Sequence, residues 1–332
     1  MKKKNTLLFI ILIFLLLVSA FLGLLFGSVD IPASDTLKVL TGRLREGTSY
    51  ILIATVRLPR VLGCIGAGVG LATAGVILQN VMNNSLASPN TIGVNSSAGL
   101  AVMLSMVFFP EAVGARPVFA FAGALITSLL IFALAWGSGA SRTTVILAGI
   151  TVSAFLSAAI NLIKILDDEI ALNINTFMIG SVAGVSMKDI RLPLIIILLV
   201  FLTACLFSGH LNVLALGDDI AGSLGMNVNA VRFFLLTLSS LLAGAVISYT
   251  GLLSFVGLIV PHICRRLFGS DNRILIPASG LLGASYVLLC DLLGRLIAAP
   301  YELPAGIIMS FIGGPFFLFL LLRKRGGRRV AA

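Results

Sequence analysis

Three groupings of acidic residues are the places where this chain could do chemistry. Asp218 and Asp219 are adjacent, Asp167, Asp168 and Glu169 form a run, and Asp291 stands one helical turn before Arg295. Paired carboxylates hold a metal or exchange a proton only when further ligands or a base converge on them. His210 and His262 have no clustered partners, and Cys64, Cys205, Cys264 and Cys290 fall singly inside apolar runs. A disulfide or a metal site is therefore not expected. Simpler roles suffice. Asp218 and Asp219 suit a helix N-terminus, where the dipole favours carboxylates. The 167–169 run reads as a solvated loop face, and Asp291 with Arg295, four apart, as an ion pair on one helix face. A phosphate-binding loop needs GxxxxGK[ST], so that backbone amides and a lysine hold the phosphates. None of the seven lysines (Lys2, Lys3, Lys4, Lys38, Lys164, Lys188, Lys324) sits in one. No Ser-His-Asp constellation, paired catalytic acids or HExxH motif appears either. The expectation is a chain with no catalytic residue, no bound cofactor and no metal, so any ATP chemistry comes from another subunit.

The elements that carry these residues are membrane spans. Hydrophobic residues make up 58% of the 332 and charged ones 11%, against about 25% charged in a soluble domain; mean hydropathy is +1.11. The net charge of +10 does not point to nucleic acid, because Lys and Arg lie in loops and tails flanking apolar runs, where they set topology. Ten runs approach the length of about 20 residues that crosses a bilayer: 5–27, 60–80, 92–109, 118–136, 143–163, 192–208, 231–250, 252–267, 274–293 and 305–322. The first exceeds the roughly 7–15 apolar residues of a signal peptide and lacks an A-x-A site, so it is expected to remain as a span. The eighth is short and holds Pro261. An even count puts both basic tails, Lys2 to Lys4 and residues 323–332, on the cytoplasmic side. The whole chain, 1–332, is then one transmembrane domain with an outer loop at 28–59 and an inner loop at 209–232.

That inner loop, HLNVLALGDDIAGSLGMNVNAVR at 210–232, is the one long polar interruption in the second half. Short helical pieces broken by Gly217 and Gly225 make a poor span but a good surface for a soluble, ATP-hydrolysing partner. An ion-coupled secondary transporter is the runner-up, and a membrane scaffold without transport the third class. Ion coupling usually places ionisable groups mid-span, and Asp291 is the main one here. The second span is rich in glycine, with Gly66 and Gly70 a GxxxG match, so it is expected at the centre of the bundle. Five positive charges (Lys38, Arg43, Arg45, Arg57, Arg60) sit at or near the outer loop, where a topology signal would not concentrate. The apolar piece at 175–187 is too short to span and reads as a re-entrant or surface helix.

Several segments follow one another in a familiar order: RLPR (57–60), LQNVMNNSLASPNTIGV (78–94), MIGSVAG (178–184), ALG and LGMNV within 215–228, SFVGLIVPHICRRLFGSDNR (254–273), DLLGR (291–295), ELPAGI (302–307) and GGPFF (313–317). Together they resemble the FecCD family of ABC-importer permeases, which take up ferric siderophores, haem and cobalamin. The resemblance implies an all-α polytopic fold of about ten transmembrane helices, the type II importer permease fold, with a weak inverted repeat of spans two to five with seven to ten. It implies a second permease subunit, identical or paralogous, two cytoplasmic ABC ATPase subunits and an extracytoplasmic substrate-binding protein. It also implies residence in a bacterial cytoplasmic membrane and a metal chelate as cargo, a ferric siderophore being the commonest. By position, Arg57, Arg60 and Arg295 would receive acids of the binding protein. Exposed pairs of this kind contribute under about 1 kcal/mol each and steer docking, so Arg57→Glu with Arg60→Glu would abolish uptake without disturbing assembly. The uncharged turn matches a cytoplasmic gate at Asn84 and Leu86, though Ser85 stands where the family usually has proline. Ser141 and Thr143 match a second gate position. Leu216, Gly217, Asp218, Asp219, Leu224 and Gly225 match the surface that couples to the ATPase.

Overall fold

The computed structural model describes residues 2–27, 29, 31–137 and 142–326, and among them all regular structure is helical. The outer-loop region opens the departures from expectation. After α1 (Lys2–Leu25) come α2 (Ala33–Leu40) and α3 (Thr48–Ile51), and α3 runs through a π-helical turn (Leu52–Arg57) into α4 (Leu58–Val81). Residues 48–81 are thus one continuous helical stretch of 34 residues, and much of the expected 28–59 loop is helix. There follow α5 (Val94–Phe108), α6 (Arg116–Gly137), α7 (Arg142–Leu166) and α8 (Asp168–Ile179). The second half comprises α9 (Met187–Leu206), α10 (Ser208–Leu214), α11 (Asp218–Ser223), α12 (Val228–Thr250), α13 (Val256–Phe268), α14 (Asn272–Ile297) and α15 (Ala305–Gly326).

Ten of these helices (α1, α4, α5, α6, α7, α9, α12, α13, α14, α15) overlie the ten apolar runs. Seven are long and apolar enough to cross a membrane, and α5 and residues 305–320 are shorter apolar helices. The eighth run departs in form from one continuous helix. α13 has 13 residues, a rise of about 20 Å, short of a hydrocarbon core of about 30 Å. Residues 252–255 of that run, and Gly251 before it, are not helical, with Gly251 and Phe255 both at φ +67°. The segment is held by protein instead: Leu252 N–H donates to Phe177 O (3.0 Å), and Ser181 N–H to Thr250 O, the end of α12, at 2.8 Å. Irregular backbone at membrane depth is tolerated under that condition.

Side-chain caps explain where helices begin, and the 167–169 run, expected as a loop face, supplies one of them. Asp167 Oδ1 accepts from Ile170 N at 3.0 Å and so caps α8, with Asp168 and Glu169 in its first turn. Ser186 and Asp189 form a capping box at the start of α9, and Asn227 and Asp271 cap α12 and α14. Each satisfies amides that the helix itself leaves open.

α4 is the centre. In its helical stretch 83% of the most apolar window is buried, against 11% for that of α7, so α7 faces outward and α4 does not. Its glycines divide by face. A Cβ at Gly66 or Gly70 would meet the side chains of Leu194 and Val246, from α9 and α12, at 2.3 and 2.7 Å. A Cβ at Gly68 would lie 2.2 Å from Gly283 O on α14, and one at Gly75 2.0 Å from Gly257 O on α13. The GxxxG pair thus receives side chains, while Gly68 and Gly75, two turns apart, admit other backbones. Backbone cannot yield as a side chain does, so Gly68→Val should destabilise by about 3 kcal/mol or more, the upper range for overpacking. Gly222→Ala, with nothing within 4 Å of the added carbon, should not. Thermal unfolding of both variants in detergent checks this; equal melting temperatures would refute the backbone contact.

Candidate functional site

Polar side chains gather at both ends of the α4–α14 pair, named outer and inner after the topology expected from the charge pattern. At the outer end, Arg60 on the first turn of α4 reaches Asp291 on α14 with Nε (3.0 Å to Oδ2) and Nη2 (3.0 Å to Oδ1). Its Nη1 donates to Glu302 Oε2 at 2.6 Å. Arg295 pairs with Asp291 through Nε at 3.2 Å, the i,i+4 pair expected from spacing. Arg295 Nη1 also donates to the carbonyls of Gly23 (3.1 Å) and Phe26 (2.9 Å). Arg57 donates to Leu24 O (2.8 Å), Leu25 O (2.6 Å) and Val29 O. Two guanidinium groups therefore close the C-terminus of α1, where carbonyls lack helical donors and the dipole is negative.

This arrangement corrects the exposure expected for the arginines. Arg57, Arg60 and Arg295 are 6%, 5% and 2% exposed, and Asp291 1%. Their first partners lie within the chain, so Arg57→Glu with Arg60→Glu would bury new carboxylates beside Asp291 and Glu302 and disturb the fold itself. Arginines near a helix start are visible in a sequence; carboxylates 231 and 242 residues away that neutralise them are not. Arg57, Arg60, Arg295 and Glu302 also line a small pocket of about 50 Å³ with Gly27 and Val29, and Arg295 Nη2 donates to nothing among the described residues.

The inner end is built from amides. Asn80 and Asn272 exchange hydrogen bonds (3.0 and 3.2 Å), and Asn212 on α10 accepts from the backbone and side chain of Asn272 (both 2.8 Å). Gln79 donates to Gly257 O at 3.0 Å and accepts from Arg265. Asn212 also donates to Asp271 Oδ1 at 2.8 Å. That bond, then the Arg273 amide, holds the Asp271 carboxyl below the usual range. The stability it lends is present at neutral pH and is lost as pH falls through the lowered value. Next to this cluster lies the expected gate turn. Asn83 has φ +46°, Asn84 N–H donates to Gln79 O (3.0 Å), and Asn84 Oδ1 accepts from Leu86 N (2.9 Å). Asn84 thus shapes the turn and Leu86 is exposed on it. Ser141 lies outside the described residues. Thr143 falls in the first turn of α7, its side chain likewise outside them.

The 209–232 loop folds as two short helices on either side of Gly217. Asp218 and Asp219 occupy the first turn of α11; Asp218 pairs with Arg232 at 2.6 Å and Asp219 is exposed. Gly217 and Gly225 have φ +109° and +82°, with nothing within 4 Å of an added Cβ, so each is required by backbone conformation and not by crowding. Leu211, Leu214 and Ala221 are buried, whereas Leu216, Ile220 and Leu224 are 59%, 48% and 65% exposed.

One feature escapes any reading of the sequence. The ends of α8 and α12 and the start of α15 meet, Gly306 N–H donating to Gly180 O at 3.1 Å, and a Cβ at Gly306 would sit 1.9 Å from Ile179 O. Beside this meeting point an open groove of about 440 Å³ is lined by Met178, Leu252, Ser254, Ser310 and Phe311 among others. It is largely apolar with two hydroxyls, and its walls come from three segments spread over more than a hundred residues of chain.

A model of the FecCD transport family matches residues 15–323. The chain belongs to the FecCD transport family. It is 38% identical to the probable siderophore transport system permease protein YfhA of Bacillus subtilis (strain 168), over 98% of this chain and 96% of that one. It is 36% identical to the hemin transport system permease protein HmuU of Yersinia pestis, over 95% and 96%. A solved structure described as an inward-facing metal-chelate type ABC transporter superposes with TM-score 0.85 at 28% identity, covering 96% of this chain and 99% of that one. As a FecCD permease this chain is a multi-pass membrane transport subunit and not an enzyme, and the family works with ATPase and substrate-binding partners. The ordered motifs along the whole chain had pointed to the same family.

The burial of the outer cluster carries its own test. Asp291→Asn removes the charge that Arg60 and Arg295 share, and breaking a buried pair costs about 3–5 kcal/mol. Glu302→Gln, at the partly exposed rim, should cost less. A thermal shift assay that finds Asp291→Asn as stable as the parent would show that the arginines hold α1 without their acid.

Proposed function

We propose that this chain is the membrane subunit of an ATP-driven importer for a ferric chelate of the siderophore class, residing in a bacterial cytoplasmic membrane with both termini in the cytoplasm. A second permease subunit completes the pathway, two ABC ATPase subunits grip the 209–232 loop, and an extracytoplasmic binding protein delivers the cargo. The observation that carries this reading is the division of labour along one helix pair. A pocket rich in guanidinium stands at the outer end and an exposed apolar face at the inner end. Leu216, Ile220 and Leu224, solvent-facing around two glycine breaks, offer a soluble partner a surface that water would otherwise cover at a cost. At the other end, a pocket of about 50 Å³ lined by Arg57, Arg60 and Arg295 suits a single carboxylate of the binding protein. Charge-assisted hydrogen bonds to guanidinium orient such a group.

The groove beside α15 supports a bulky cargo that is mostly apolar on its outside. A proton relay through Asp291 is disfavoured, because Arg60 engages both of its carboxylate oxygens and Arg295 one of them. ATP-dependent, vanadate-sensitive uptake of a labelled ferric siderophore by proteoliposomes carrying the full complex tests the reading; uptake driven by an ion gradient without ATP would replace it with a secondary transporter.

The loop yields a sharper expectation. Gly225→Val forces a side chain into a left-handed conformation costing about 1–2 kcal/mol, with no neighbour to clash. The change should therefore re-aim Leu224 while the bundle stays folded. Hydrolysis should continue while uptake is lost, measured in the same vesicles. Normal coupling would mean that the ATPase contact lies elsewhere.

A further inference from the structure

Asn272, the first residue of α14, is completely buried, and a buried amide must find partners for its donors and its acceptor. It finds them on two different elements. Its Nδ2 donates to Asn80 Oδ1 on α4 at 3.2 Å and to Asn212 Oδ1 on α10 at 2.8 Å. Its Oδ1 accepts from Asn80 Nδ2 at 3.0 Å, and its backbone N–H donates to Asn212 Oδ1 at 2.8 Å. Beyond Asn80 the 83–86 turn is tied to the last residues of α4 by backbone bonds and by the Asn84 side chain. Asn80 O accepts from Asn83 N (3.1 Å), Gln79 O from Asn84 N (3.0 Å), and Asn84 Oδ1 from Leu86 N (2.9 Å). A hydrogen-bonded line thus runs from the first helix of the 209–232 loop to the 83–86 turn.

Leu211 and Leu214 also seat α10 on the bundle, but apolar contact is not directional and tolerates sliding. Amide hydrogen bonds weaken steeply once bent or stretched, and a buried donor that loses its acceptor is left without water to replace it. A displacement of α10 therefore either carries Asn272 and Asn80 with it or strands their donors. We propose that Asn272 is a positioning residue for transport, passing movement of α10 to the 83–86 turn through its paired amides with Asn212 and Asn80. The proposal rests on the reading of the 209–232 loop as the ATPase-facing surface.

The test uses the complete complex with its ATPase and binding protein, in proteoliposomes, on a Leu224→Cys background that reports ATPase contact by cross-linking. Asn272→Leu removes the side-chain bonds to Asn80 and Asn212 with the same branched shape, leaving only the backbone N–H to Asn212. Asn212→Ala, at a half-buried site, removes the α10 arm alone and serves if the first variant does not fold. The expected result is an unchanged cross-link and unchanged ATP hydrolysis, with uptake per ATP lowered about tenfold, within the usual span of coupling between sites. Uptake per ATP that stays at the parent value while the cross-link persists overturns the relay alone, as does a loss of uptake and hydrolysis in strict proportion. Absence of the cross-link in the Leu224→Cys parent overturns the reading of the loop, and the relay with it.

Discussion

Gly68 and Gly283 touch backbone to backbone, and the position of nearly every functional group depends on that contact. Hydrophobic burial does not drive helices together in lipid, where tails are as apolar as side chains; close packing through small residues does. The approach fixes an antiparallel register. Eight residues before Gly68 on α4 stands Arg60, and eight after Gly283 on α14 stands Asp291, its partner. Twelve residues the other way on α4 stands Asn80, and eleven back along α14 stands Asn272, its partner. Arg60 and Asn80 are twenty residues apart, a rise of about 30 Å, which equals the hydrocarbon thickness. One glycine contact near the middle therefore places a polar cluster at each membrane boundary.

What each cluster contains follows from what it must replace. At the outer end α1 terminates against α4 and α14 with its last carbonyls unpaired by its own helix. Arg57 and Arg295 supply the donors. Guanidinium brings charge, so carboxylates must follow it into the protein, and Asp291 serves two arginines at once. Charge balance, hydrogen bonding and the anchoring of α1 are thus one problem with one solution. The inner end closes with neutral amides, which need partners but not counter-charges.

Much of this fold is legible in the sequence. Apolar runs of span length announce ten helices because lipid rewards length and composition together. Asp167, Asn227 and Asp271 mark helix starts through local bonds to amides three or fewer residues away. Gly217 and Gly225 mark the breaks in the inner loop because positive φ is a local requirement. The failures share a cause as well. The eighth run reads as one continuous helix because 252–255 is apolar, yet Leu252 N–H pairs with Phe177 O, a long-range fact. Arg57 and Arg60 look exposed because their partners are remote in the chain. The groove beside α15 has no local signature at all, since it exists only where Gly180, Gly251 and Gly306 let three segments meet.

The two clusters also differ in what displacement costs them. Separating a buried guanidinium from its carboxylate leaves two charges in a low-dielectric surrounding, a loss of about 3–5 kcal/mol. Separating an amide pair strands neutral dipoles, at about 1–3 kcal/mol each when no new partner is found. Asn212 lies at the half-buried margin, where water can stand in, while Asp291 is 1% exposed. The helix pair is therefore stiffer at its outer end than at its inner one. Force applied where α10 meets α14 acts on the compliant end, with the ion cluster as the fixed point against which it works.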